Sequence, residues 1–199
     1  AAAREALPDA VLPQKLFRQR EDASYQIKKA IDFFSELFGH RPRGMWPPEG
    51  CVSNDSFALY AEHGVEWSVT DEEILFQSLG VNNTRDGYGN LTNPDLLYRP
   101  YIWEREGRLL KVLYRDKQLS DLISFHYSRM ASKDAANDCL RRLKEIRNSV
   151  KGRIRMPIIT IALDGENAWE NYANDGWDFL RYLYDDILKE ESIVPTTIS

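Results

Sequence analysis

Cysteine is nearly absent: Cys51 and Cys139 are the only two in 199 residues. Nothing in their spacing builds a disulfide framework, so a reducing compartment, the cytoplasm, is the expectation. Histidine is scarce too. His40, His63 and His126 show no His-x-x-His or His-x-x-x-His spacing of the kind that holds zinc, and the two cysteines lie far apart. No metal and no cofactor are therefore expected, with a carboxylate-only magnesium site the one metal reading left open. There is no Gly-rich phosphate loop and no Gly-x-Ser-x-Gly elbow, which leaves nucleotide binding and elbow-serine chemistry without support. No apolar run is long enough to cross a membrane and no signal segment is visible, so no membrane partner is expected. Positive charge is in deficit: 26 Lys and Arg against 31 Asp and Glu leave a net −5, which disfavours a nucleic-acid partner. The basic stretch "LRRLKEIRNSVKGRIR" places its charges on the polar side of a helix. The chain opens "AAAREALP" without an initiator Met, as a processed protein or a fragment would.

What is present points to a folded α/β chain. Apolar spacing over Glu21 to Phe38 gives an amphipathic helix that turns Ile27, Ala30, Ile31, Phe34 and Phe38 inward and stops at Gly39. "GMWPPEG" suits a short strand opening into a rigid loop, and Ser53 or Asn54 caps a helix closed near Gly64. "VEWSVTD" is a short β-prone run, and residues 78–94 form a long polar loop. "LLYRPYIWER" and "RLLKVLYRD" flank Glu106-Gly107 as a hairpin. A helical "KQLSDLISFHY" follows, then a helix capped by Ser132, a buried strand over Ile158 to Leu163, and a helix capped by Asp175. Strands alternating with capped helices predict a largely parallel sheet, in which reactive groups gather past the carboxyl ends of the strands. Asn82-Asn83-Thr84 and Asn90-Leu91-Thr92 match the glycosylation pattern, relevant only to a secreted chain.

Four acids stand at such ends: Glu49, Asp71, Asp116 and Asp164. Glu49 and Asp164 draw attention because one follows two prolines and the other ends an apolar run in "ALDGEN". Two carboxylates facing across a bond are the equipment of glycoside hydrolysis, one attacking the anomeric centre and the other protonating the leaving oxygen. Taken singly, each has an ordinary alternative, as a loop acid or an Asp-Gly turn. The five Trp, ten Tyr and eight Phe serve either core filling or stacking against a sugar ring.

"RPRGMWPPEGCVSNDSFALYAEHGVEWSVTDEEIL" closely resembles the nucleophile region of glycoside hydrolase family 57, the α-amylase and amylopullulanase-like group. "ITIALDGENAWENYANDGWDFLRYLY" resembles that family's acid/base region, and "LYRPY" with "LYRDKQLSDLISFHYS" its connecting segment. The resemblance implies a retaining enzyme acting on α-glucans, with Glu49 as nucleophile and Asp164 as acid/base, expected about 5–5.5 Å apart. It also implies that Trp46 lies near the bound sugar, with core packing as its plain alternative. Arg115, Asp116 and Asp121, in the "YRD…SD" segment typical of this group, are read as sugar-hydroxyl ligands or salt-bridged structural residues. His126 is a cleft residue or a core histidine. Glu166 would orient or perturb Asp164, and Trp169 would flank the substrate.

The implied fold is part of a (β/α)₇ barrel, with residues 1–199 a single catalytic-domain segment. The family's N-terminal strand motif and C-terminal helical region are expected to be missing, and open sheet edges then predict self-association. Two other readings keep the same residues: an α-glucan transferase of the branching or 4-α-glucanotransferase kind, and a catalytically incomplete glucan-binding fragment. A carbohydrate deacetylase would need a spaced histidine pair, which the sequence lacks.

Overall fold

The computed structural model describes residues 8–15, 19–165 and 168–198. They fall into two compact units, Ala1–Thr70 with Tyr101–Leu113, and Asp71–Pro100 with Tyr114–Ile198.

In the first unit α1 spans Arg20–Phe38 and ends where expected, at Gly39 in the left-handed region. Its inward face is thinner than the apolar spacing predicts. Ile31 is buried, Ile27 and Phe34 are half-buried, and Ala30 and Phe38 are exposed. Strand β1 (Gly44–Met45) lies parallel to β2 (Trp67–Asp71) with Gly44 opposite Trp67. A Cβ at residue 44 would stand 2.1 Å from the Trp67 ring, so only glycine fits beneath that indole. Between these strands α2 (Asn54–Glu62) begins with a capping box in which Ser53 and Ser56 exchange side-chain to backbone bonds. Strands β3 (Tyr101–Arg105) and β4 (Arg108–Arg115) form the expected antiparallel hairpin. Glu106 and Gly107 both have positive φ, as a two-residue turn matched to strand twist requires. The strand order is β1-β2-β4-β3.

The second unit opens with α3 (Glu72–Leu79), a helix too short for its apolar spacing to stand out in the sequence. Asp71 reads as an acid ending a strand, yet its carboxylate accepts from the Glu73 N–H and caps this helix. The helix buries Leu75 and Phe76. After a polar loop come the short α4 (Pro94–Leu97), α5 (Lys117–Asp121), a π turn over Leu122–His126, and α6 (Ser132–Val150). Ser132 does not cap α6: it is the first helical residue, and Ala131 precedes it without a side-chain bond. Helix α7 (Trp177–Leu188) packs against α6 and buries Phe179, Leu183 and Ile187, while α6 buries Ala135, Ala136, Cys139, Leu143, Ile146 and Val150. Each large apolar side chain so buried contributes roughly 1.5–3 kcal/mol. Leu180 is only half-buried and Tyr184 is exposed, against the expected inward face.

Asp175 does not cap α7 either. Asn174 and Asp175 are both left-handed, and Gly176 (φ 76°) is the residue before the helix. The Trp169 ring explains the route, since a Cβ at residue 176 would lie 2.6 Å from it.

Among the described residues, the expected strand over Ile158 to Leu163 forms one strand bridge, a parallel one between Thr160 and Arg115. The segment is extended all the same, and its alternate residues are bonded. Ile158 N–H donates to the Tyr98 carbonyl (2.9 Å), and the Thr160 carbonyl accepts from Asp116 N–H (2.8 Å). Ala162 N–H donates to Ser120 Oγ (3.2 Å), and its carbonyl accepts from Arg115 Nη1 (3.3 Å). Tyr98, the N-cap Asp116 and Ser120 of α5, and the Arg115 side chain at the end of β4 thus stand in for a ladder, so a strand-like sequence pairs at one point only among the described residues. Pro157, which has no N–H, precedes it.

Candidate active site

The four acids past the strand ends separate into two kinds. Asp71 caps α3 through one oxygen and accepts from Arg115 Nε (2.7 Å) through the other. Asp116 is completely buried. Its carboxylate accepts from the Tyr98 hydroxyl (2.6 Å) and from Leu119 N–H (2.9 Å), and lies 3.1 Å from Arg85 Nη2. Glu49 and Asp164, in contrast, are both exposed. Glu49 belongs to the first unit and Asp164 to the second.

Glu49 is built into a short helical turn, Pro48–Gly50, behind the β1 strand. Pro47 and Pro48 fix two φ angles ahead of it. The residue itself sits at φ 56°, ψ 21°, a left-handed conformation that costs a non-glycine residue about 1 kcal/mol or more. Gly50 follows at φ 64°, and its carbonyl accepts from Thr70 Oγ1 at 2.6 Å, a buried bond. The Trp46 indole, 41% exposed, lies over Gly50 and leaves part of its ring open to solvent.

Asp164 closes the extended segment held by Ser120 and Arg115. Glu166, read as its orienting neighbour, lies outside the described residues. Trp169 is half-buried and its ring faces inward, 5.5 Å from Tyr172 and 6.5 Å from Phe179 between centroids. That packing supports a core contribution from Trp169 more than a stacking platform.

Asp116 is likewise better placed for structure than for sugar. Glu72, Arg85, Asp116 and Tyr98 form a buried polar cluster, with Arg85 bonded to Glu72 (2.6 and 3.2 Å) and to the Gly89 carbonyl (2.8 Å). Burial pushes the Glu72 carboxyl up in spite of its bonds to Arg85. Burial opposes the charge on Arg85, but Asp116 and Glu72 overcome it and hold the guanidinium more firmly protonated. The Tyr98 hydroxyl is raised by burial and by the adjacent Asp116 charge, so it stays a donor. Glu72, Arg85 and Tyr98 have no part in the sequence reading. The available signal was Arg85, the lone cation among the Gly, Asn and Thr of residues 78–94.

Asp121 and His126 do come together. With Glu72, Glu73, Arg85, Lys117, Gln118 and Leu122 they line an open groove of about 440 Å³. His126 is exposed there, which corrects the reading of it as a core histidine. Asp121 is half-buried, and its carboxylate lies 3.8 Å from Arg115 Nη2.

Residues 9–199 match the model of Glycosyl hydrolase family 57. The chain belongs to that family. Over 105 residues, 53% of the chain and 14% of the relative, this family 57 sequence is 30% identical to Alpha-amylase 1 of Dictyoglomus thermophilum. Its fold resembles the crystal structure of 4-α-glucanotransferase from Thermococcus litoralis, with a TM-score of 0.62 and 22% identity over 87% of this chain and 24% of that one. The α-amylase AmyC of Thermotoga maritima gives a TM-score of 0.66 at 15% identity, over 87% of this chain and 43% of that one. The chain therefore spans less than half the length of each of these proteins. Their likeness shows the α/β fold expected of a partial family 57 barrel.

Proposed function

We propose that this family 57 chain carries the two reacting carboxylates of a retaining enzyme that acts on α-glucans. The observation that carries the reading is Glu49, an exposed carboxylate held in a left-handed backbone between fixed prolines and a buried Thr70 bond. Backbone strain of this kind concentrates where a side chain must be aimed. The relatives named as an α-amylase and a 4-α-glucanotransferase support the substrate class.

In this mechanism the Glu49 carboxylate attacks the anomeric carbon, and the bond to the leaving oxygen breaks as Asp164 gives that oxygen its proton. Asp164, now ionised, takes a proton from water, which attacks the same carbon and releases Glu49. A sugar hydroxyl in place of water would give transfer, a second reading favoured by the glucanotransferase likeness. Trp46 is the candidate sugar platform. The match across residues 9–199 supports one catalytic segment containing both units, and two free thiols fit a cytoplasmic setting.

Azide rescue in the intact protein tests the roles. Glu49→Ala with azide should yield the β-glycosyl azide and Asp164→Ala the α-glycosyl azide, because the azide replaces the nucleophile in one and the activated water in the other. Rescue of neither variant, or the reverse stereochemistry, would refute the assignment.

A further inference from the structure

We infer that Ser120 and Arg115 are positioning residues for Asp164, acting through the Ala162 peptide. The inference rests on the acid/base reading of Asp164 above. Ala162 stands two residues before Asp164, and its peptide groups are held from two directions. Its N–H donates to Ser120 Oγ (3.2 Å) and its carbonyl accepts from Arg115 Nη1 (3.3 Å).

Both holders are themselves fixed. Ser120 is completely buried and its hydroxyl donates to the Asp116 carbonyl (2.8 Å), which leaves the oxygen lone pairs to the Ala162 N–H. Arg115 Nε is committed to Asp71 (2.7 Å), and Asp71 is committed to capping α3. The guanidinium fork therefore reaches the Ala162 carbonyl from a pinned base, which a flexible lysine cannot imitate.

The strand bridge at Thr160 is the last backbone-to-backbone pairing before Asp164 among the described residues. Beyond it, the Ala162 peptide is held by the side chains of Ser120 and Arg115. A displacement near 1 Å at a proton donor is enough to cost about a hundredfold in rate. Buried Ser120 and half-buried Arg115 thus sit where a small change turns into an error in proton delivery.

The test separates proton donation from everything else. An α-glucan needs its leaving oxygen protonated, whereas an α-maltosyl fluoride does not. In the intact protein, Ser120→Ala should lower kcat/KM on the glucan by about 10- to 100-fold while leaving that on the fluoride within about threefold. Arg115→Lys, which keeps a charge beside Asp71, should show the same selectivity and is the second variant should Ser120→Ala fail to fold. Equal losses on both substrates, or none on either, would overturn the inference. Asp164→Asn serves as the reference. If it too shows no leaving-group selectivity, the acid/base reading is what fails; if it does and the other two do not, the positioning role alone is lost.

Discussion

Thr70 Oγ1 donates a 2.6 Å hydrogen bond to the carbonyl of Gly50, tying the last turn after β1 to a completely buried residue of β2. That bond holds the residue after Glu49, and so helps to keep Glu49 at a φ it would not choose alone. Replacing Glu49 should expose the strain. Glu49→Gly is expected to be more stable than Glu49→Ala by about 1 kcal/mol, because glycine accepts the left-handed region and alanine does not. Denaturant unfolding of the two variants measures the difference. Equal stability would mean that the turn is not strained in solution.

Arg85 is expected to be the most sensitive ionic residue of the second unit. Arg85→Ala leaves buried Glu72 and Asp116 facing each other without a cation, a loss of about 3–5 kcal/mol. Arg85→Lys should recover only part, since an ammonium cannot hold Glu72 and the Gly89 carbonyl with one planar fork. Thermal unfolding of both variants decides the order.

The thiols should behave oppositely. Cys139 has no exposed surface and burial pushes its thiol up to about 12, whereas Cys51 is exposed. Native protein at neutral pH is expected to take up one alkyl group, on Cys51, and a second only after unfolding. Labelling of Cys139 under native conditions would contradict the packing of α6.

Acid should weaken α6 through Asp138. Burial raises this carboxyl, but hydrogen bonds from Arg142, Arg141 and Tyr127 outweigh it and hold the group at about 2. A carboxylate depressed below its unfolded value of about 3.9 adds stability above that pH and loses it as pH falls towards the folded value. Asp138→Asn should therefore cost about 1 kcal/mol at neutral pH, after allowance for solvent screening. The cost should fade between about pH 4 and pH 2, which an acid titration of the unfolding midpoint in both proteins would reveal.

Local chemistry made much of this legible in advance. Gly39 closing α1, the Ser53 cap and the Glu106-Gly107 hairpin turn are short-range features, and each stands as its residues imply. Misreadings occurred where a distant partner decided. Asp71 looked like a reactive acid until Arg115 and the α3 N-terminus claimed its two oxygens. Asp116 is buried because Tyr98 and Arg85 come to it from far along the chain. Asp175 lost its capping role to a ring, Trp169, that admits only glycine at residue 176. The Ile158 to Leu163 run has strand composition, but its bonding partners include side chains that no periodicity announces.

The most direct test of the central claim is to trap the glycosyl-enzyme. The intact protein would be incubated with a 5-fluoro-α-glucosyl fluoride, digested, and its peptides weighed. The mechanism predicts one added fluoroglucosyl group on the peptide containing Glu49, abolished in Glu49→Gln. A label on another carboxylate would contradict the assignment, and β-configured first product from an α-glucan would contradict the double displacement itself.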